Sequence, residues 1–406
     1  MALDTAAARQ AFPALQVRVG GKLPIYLDSA CTSLRPEPVI RAMADFQRRA
    51  PACHGRSNHA FGRETSRVYE GARDYIRRFV GAEEAAEIVF VRNTSEALNL
   101  VAESLPLKRG DTVLTTNIEH NSNLLPWQRR ARRDGLKHRI HRVELDHGFD
   151  LAAFEEDLAP APAVVAVPHV SNLCGVALPL PEIVEAAHAV GALVVVDGAQ
   201  AVCTHRLDLA ASGVDFYAFS FHKMFGPTGI GALYGRRSAL ERLQPFLVGG
   251  GTVEAASFTS ARFEPLPMRF EAGICNYDGA VGAATAAAWL QKIGQDALHE
   301  HVVALNGIAT EGLVDLPRLH VIGPEDPARR GGVFGFYLDG VGAEAVARLL
   351  DTRENIMVRH GKLCVHGWFA DTGTPEAVRA SFSVYNTAEE VRAFVRTVRG
   401  AVALVS

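Results

Sequence analysis

An α/β fold is predicted: a mostly parallel sheet sandwiched by helices, followed by a smaller α+β unit. Three observations carry this expectation. Short runs of Val, Ala and Leu recur between residues 87 and 196, as in Val194-Val195-Val196, and strands buried on both faces have that composition. Helical segments lie between them, the alternation that parallel pairing needs for its crossovers. After Gly251 the pattern changes to two Ala/Leu-rich helices, short strands and a terminal amphipathic helix. A chain of 406 residues also exceeds one ordinary core. Residues 1–22 are therefore expected as an N-terminal segment packing with the small domain, 23–285 as the large domain and 286–406 as the small one.

Taken in order, residues 1–22 read as a helix and a loop, and 24–28 as the first strand. Ser29-Ala30-Cys31-Thr32-Ser33 is a turn of small residues that lets backbone approach a ligand. After a polar, His-bearing loop at 57–62, a helix over 65–80 places Val68, Ala72, Ile76 and Phe79 on one face. Strands are expected at 87–91, 112–116, 140–145, 163–170 and 192–196, with helices at 95–105 and 180–190. The apolar run 215–219 leads into Ser220-Phe221-His222-Lys223. Helices at 279–293 and 298–313 follow, the first a candidate link between domains. Strands at 319–322, 333–338 and 356–359, and a helix at 343–350, complete the smaller unit. Thr387-Ala388-Glu389-Glu390 is a capping-box pattern, and it opens a helix with Val391, Phe394, Val395 and Val398 on one face.

Composition excludes several classes. A formal net charge of -3 gives no reason to expect nucleic acid or an anionic membrane as a partner. The cluster Arg129-Arg130-Ala131-Arg132-Arg133 reads as a solvated helix face. No apolar run reaches membrane-spanning length, and residues 1–12 lack a secretory pattern. The six cysteines are scattered without metal-ligand spacing, which predicts no metal site, no disulfide framework and a reducing, cytoplasmic location. Each cysteine reads as a small buried apolar residue unless argued singly.

Four features bear chemistry. Lys223 stands at a strand end before Gly226-Pro227-Thr228-Gly229-Ile230-Gly231, a placement that suits Schiff-base formation; a snorkelling surface lysine is the alternative. Asp197 ends a buried strand and needs a cationic partner, either a pyridinium nitrogen or a structural salt bridge. Asn93-Thr94-Ser95-Glu96 opens a helix and offers a phosphate cradle or an ordinary N-cap. Glu119-His120-Asn121 puts an imidazole at another strand's carboxyl end.

Their order on successive strand–helix units, together with Val170-Ser171-Asn172, Val196-Asp197-Gly198-Ala199-Gln200 and Ser220 through Gly231, resembles the class V aminotransferases. These are pyridoxal 5'-phosphate enzymes of fold type I, and within them the chain resembles the SufS-type cysteine desulfurases, also called selenocysteine lyases. The likeness runs from Tyr26-Leu27-Asp28-Ser29-Ala30 to Arg379-Ala380-Ser381 and Tyr385-Asn386-Thr387. It implies a large domain with a seven-stranded, mostly parallel sheet, and a homodimer. It also implies that Lys223 carries the cofactor's Schiff base and Asp197 faces its pyridine nitrogen. His120 would stack on the ring and Gln200 would bond the ring oxygen. Thr94, Ser95, Ser220 and His222 would hold the phosphate. Asn172, Arg379, Arg359 and Ala30 fall at substrate positions, where a guanidinium suits a carboxylate.

By the same resemblance, Arg359-His360-Gly361-Lys362-Leu363-Cys364 carries a nucleophilic cysteine at the active-site mouth. Its thiolate would take sulfur from L-cysteine as a persulfide, leaving alanine, and pass it to an acceptor protein of the SufE or SufU kind, as in iron–sulfur cluster assembly. Nearby positive charge favours the thiolate. The chain departs from the family pattern at Lys362-Leu363, Val365-His366-Gly367-Trp368, Cys31, Thr32, Ile274 and Tyr277. The family has threonines at positions 274 and 277, the latter reaching the phosphate of the partner subunit, and Tyr277 offers a hydroxyl in a different place. These departures leave open a related C–S lyase, selenocysteine lyase or epimerase, with Lys362 and Trp368 reshaping the pocket for a bulkier amino acid.

Overall fold

The structure is a computed structural model that describes residues 3–403. β1 (Ile25–Tyr26) stands apart from the main sheet. The Val/Ala/Leu runs form β2 (Ile88–Val91), β3 (Thr112–Thr116), β4 (Lys137–His141), β5 (Val164–Pro168), β6 (Leu193–Asp197), β7 (Phe216–Ser220) and β8 (Gly231–Gly235). They make one seven-stranded sheet in the order β2-β8-β7-β6-β5-β3-β4. Only β8 runs against its neighbours; the pairings from β7 through β4 are parallel. Successive side chains alternate between two hydrophobic clusters. Val195 joins Val164, Phe216 and Leu233 in one, while Val194 and Val196 join Val165, Tyr217 and Phe219 in the other, as the two-residue period of a strand dictates.

Two expectations shift. The strand expected at 140–145 is Lys137–His141, at the sheet edge. Edge strands keep polar and charged side chains, so Lys137, His138 and Arg139 hid it, and the apolar Val143 and Leu145 are buried beyond its end. The basic cluster at 129–133 is not wholly solvated: Arg130 is buried and donates to the carbonyls of Ala102 and Leu105. Those carbonyls close the helix Thr94–Ser104, and a buried orphan acceptor at a helix end requires a donor.

A second, four-stranded antiparallel sheet contains Leu319–Ile322, Val333–Leu338, Ala377–Ser381 and Arg359–Gly361 in that spatial order. The capping box forms as the sequence predicts: Glu390 N–H donates to Thr387 Oγ1 at 3.2 Å and Thr387 N–H to Glu390 Oε2 at 3.2 Å. The resulting helix, Ala388–Ala403, packs against Gln295–Leu313. The N-terminal segment reaches the same region, since Arg9 pairs with Glu390 at 2.7 Å and Phe12 stacks edge-on against Tyr385. β1 pairs in parallel with Ile356–Met357, and Asp28 bridges Ser381. The start of the chain is thereby stitched to its end beside the carboxyl ends of the main sheet, where open α/β sheets place their ligands. Among the described residues no helix is long and apolar enough to cross a membrane.

Candidate active site

Five loops leaving the main sheet converge on one cavity of about 240 Å³. Lys223 sits in the single turn Phe221–Lys223 that follows β7. Phe221, Met224 and Phe225 are fully buried and anchor the turn. Ser33 holds it from outside: its N–H and hydroxyl donate to the His222 carbonyl at 2.8 and 2.9 Å. Lys223 is half-buried and lines the cavity. Burial pushes its ammonium form below the usual lysine value, against an opposing pull from Asp197.

Asp197 closes β6 with its carboxylate buried, and Oδ1 accepts the Ala199 N–H at 3.0 Å. Gly198 must be glycine, because a Cβ there would lie 1.9 Å from the ring of Tyr217. His120 precedes the helix Asn121–Asp134 and caps it, Nδ1 accepting the Ser122 N–H at 3.1 Å. That bond leaves the proton on Nε2. Burial, aided by the charges of Lys223 and Arg379, lowers the His120 imidazolium to about 4, so a neutral ring faces the cavity.

The cradle forms where the helix Thr94–Ser104 meets β7. Thr94 N–H donates to Ser220 Oγ at 2.7 Å, and the Thr94 and Ser220 hydroxyls lie 2.7 Å apart. Ser95 and Ser122 bring two more hydroxyls within 2.5 Å of each other. A Cβ on Gly231 would meet Asn93 Cα at 2.8 Å, so only glycine lets β8 approach the cradle this closely. Burial lowers the imidazolium of His222, at the cradle's edge, to about 4. Hydroxyls and a helix N-terminus together form an anion site.

On the opposite wall Arg379 is buried, donating from Nη1 to the Asn172 carbonyl at 3.0 Å and from Nη2 to Asp28 Oδ1 at 3.3 Å. Its Nε is buried with no hydrogen-bond partner, a cost that binding an anion there would remove. Burial, with repulsion from Arg359, lowers its guanidinium value, and burial raises the carboxyl of Asp28; their mutual contact opposes both.

Cys364 follows the strand Arg359–Gly361. Leu363 and Cys364 both have left-handed backbone, with φ of 50° and 60°, a strain that non-glycine residues sustain only when held. Two hydrogen bonds hold it: Asn172 Nδ2 donates to the Leu363 carbonyl and Asn121 N–H to the Cys364 carbonyl, both at 2.7 Å. Leu363 is buried, and Cys364 is turned into the cavity.

The cavity wall includes Ala30, Thr94, Ser95, His120, Asn172, Asp197, Gln200, Ser220, His222, Lys223, Arg359, Cys364 and Arg379. Of the residues anticipated from sequence, Tyr277 is the exception. Its hydroxyl accepts the His54 N–H at 3.2 Å and it lines a separate pocket with Cys53 and Ile274. Lys362 and Trp368 do not line the cavity either, and Trp368 packs edge-on against Phe369, so the expectation that they reshape the pocket is corrected. Gln200 donates to the Ala30 carbonyl at 2.8 Å. Sequence reasoning missed Ser122, although it directly follows the recognised Glu119-His120-Asn121 stretch, whereas Asn93 of the anticipated cradle does line the cavity. It also expected cysteines to be buried, whereas among the six only Cys174 is.

A family model described as Aminotransferase class-V matches residues 25–394. The chain belongs to the class V aminotransferase family. Over 408 residues, covering all of both chains, it is 38% identical to a probable cysteine desulfurase of Vibrio cholerae. The apo structure of a cysteine desulfurase from Thermococcus onnurineus superposes with a TM-score of 0.92 at 37% identity, covering 99% of each chain. That of CsdA, a cysteine desulfurase from Escherichia coli with an S-sulfonic acid, gives 0.90 at 31% identity over both full chains. The cofactor of this class V chain is pyridoxal 5'-phosphate. The residues present fit it: a strand-end carboxylate for the ring nitrogen, a neutral imidazole for the ring face, an amine for the aldehyde and a hydroxyl-lined anion cradle.

Proposed function

We propose that this class V chain is a cysteine desulfurase, taking sulfur from L-cysteine onto Cys364 and passing it to an acceptor protein of the SufE or SufU kind. One observation carries the proposal: a thiol on a strained, doubly anchored loop opens into the cavity that contains the Lys223 amine. A structural cysteine needs neither the strain nor the cavity.

The chain's residues divide the work. Thr94, Ser95, Ser220 and His222 would bind the phosphate, and Lys223 would hold the aldehyde carbon. Pyridoxal phosphate, when bound, supplies an electron sink for charge developing on the substrate. Asp197 keeps a proton on the ring nitrogen, which deepens that sink, and His120 packs its neutral ring on one face. Arg379 and Asn172 orient the substrate carboxylate, with Arg359 at the mouth. The depressed Lys223 amine takes up and returns a proton at Nζ. The Cys364 thiolate attacks the substrate sulfur; an S–S bond forms, the substrate's C–S bond breaks, and its electron pair stays on carbon, which takes a proton to give alanine. Residues 23–285 and 286–406 act as the two units whose junction encloses this site, with 1–22 packed on the smaller. Tyr277 serves across a homodimer, and the reducing cytoplasm keeps the thiols free.

The test is alanine and sulfide formation from L-cysteine with a reductant, comparing wild type with Cys364→Ser. Wild type makes alanine and the variant almost none. Equal alanine from both, or none from a cofactor-loaded wild type, overturns the assignment.

A further inference from the structure

The cavity holds a second thiol that the proposed chemistry leaves unused. Cys31 lies on the Ser29–Ser33 turn, and this turn is fixed at several points. Cys31 N–H donates to the Asp28 carbonyl at 3.1 Å, Ala30 N–H to Ser381 Oγ at 2.9 Å and Ser33 N–H to the His222 carbonyl at 2.8 Å. Cys31 is half-buried and lines the same cavity as Cys364. Arg359 Nη1 donates to Cys31 Sγ at 3.8 Å, and Arg359 opens the strand that ends in the Cys364 loop. Both thiols also act electrostatically on the Lys223 amine. Beside Cys31, Arg379 offers its buried, unpartnered Nε.

These are the surroundings of a reactive thiolate: cationic neighbours, partial exposure and a rigid backbone. Two other cysteines show the contrast. Cys203 is half-buried, and desolvation of its thiol pushes it up to about 12; burial also raises that of Cys174. Neither has a cation in hydrogen-bonding contact among the described residues.

We propose that Cys31 is a second sulfur-accepting residue, taking the outer sulfur from a persulfide on Cys364. The step rests on the desulfurase reading above. The Cys31 thiolate attacks the outer sulfur and forms a new S–S bond. The S–S bond on Cys364 breaks, and its electron pair remains on Cys364 as a thiolate. One thiolate replaces another, so no oxidant, reductant or net proton is needed. The chain thereby stores sulfur on either of two residues, and Cys364 is freed for another turnover before any acceptor arrives.

The experiment mixes cofactor-loaded protein with L-cysteine and no reductant, traps thiols and persulfides with an alkylating agent, and maps the added sulfur by peptide mass spectrometry. Alanine is measured in parallel. Wild type carries sulfur on Cys31 and Cys364. Cys364→Ser carries none on Cys31. Both Cys31→Ser and Cys31→Ala carry it on Cys364 alone, with the alanine burst reduced roughly twofold. Sulfur confined to Cys364 in wild type, a Cys31–Cys364 disulfide with free sulfide, or sulfur on Cys31 in Cys364→Ser overturns the relay. Either of the first two outcomes with alanine still formed leaves the desulfurase reading standing, whereas sulfur on Cys31 in Cys364→Ser with alanine formed also overturns the route through Cys364. No alanine from wild type overturns both.

Discussion

Replacing Glu119 by glutamine tests the electrostatics beneath the cavity. Glu119 is fully buried one residue before His120 and accepts from Thr116 Oγ1 at 2.6 Å, Thr116 N–H at 3.2 Å and Asn123 Nδ2 at 2.7 Å. Those donors favour a carboxylate, yet desolvation outweighs them, with Asp197 adding repulsion, and the carboxyl is raised from 4.5 to about 8. It is therefore protonated at neutral pH. Asn123 Oδ1 is buried without a partner; with its amide reversed it accepts the acid proton. A neutral Glu119 removes a repelling charge from beside Asp197.

The sign follows from the raised value. A carboxyl that binds its proton more tightly when folded is most favourable below its unfolded pKa, and that stability is lost as pH rises through the folded one. At about 1.36 kcal/mol per pH unit, the loss is roughly 3 kcal/mol at pH 7 and roughly 5 kcal/mol above pH 8. Glutamine keeps the shape without the proton. Allowing about 1 kcal/mol for a rearranged hydrogen bond, Glu119→Gln is roughly 2 kcal/mol more stable at pH 7, and its advantage grows until about pH 8, then levels off. Urea unfolding of the cofactor-loaded protein across this range measures it. Parallel pH profiles for the two proteins, or a less stable variant at high pH, would refute the reasoning, because Glu119 would then be ionised throughout.

Two further outcomes follow from buried charge. Glu271 accepts from Arg73 at 2.6 and 3.0 Å, from Tyr69 Oη at 2.7 Å and from Phe90 N–H at 2.8 Å. Glu271→Ala leaves the buried Arg73 with the exposed carboxylate of Glu70 at 3.0 Å and is expected to cost about 3 kcal/mol in unfolding experiments, much of which a second Arg73→Met change restores. Arg379→Lys removes the planar fork; with a charged hydrogen bond worth about 1.5–3 kcal/mol, KM for L-cysteine rises roughly 10- to 100-fold while kcat changes less. An unchanged KM removes Arg379 from the substrate carboxylate.

The sequence by itself determined the parallel sheet, because strands such as 164–168 and 193–196 are apolar on both faces whatever surrounds them. It also marked the residues at the strand ends, where a carboxylate, an imidazole and a lysine on successive strand–helix units carry together what none of them carries alone. The edge strand Lys137–His141 was hidden because exposure removes the apolar signal. Tertiary structure alone decided what depends on distant segments meeting. The pairing of β1 with Ile356–Met357 brings residue 31 beside residue 359. Asn172 and Asn121, far away in the chain, sustain the left-handed backbone at Leu363 and Cys364. The proton on Glu119 is likewise set by burial, and burial is a property of the assembled fold rather than of any local stretch of chain.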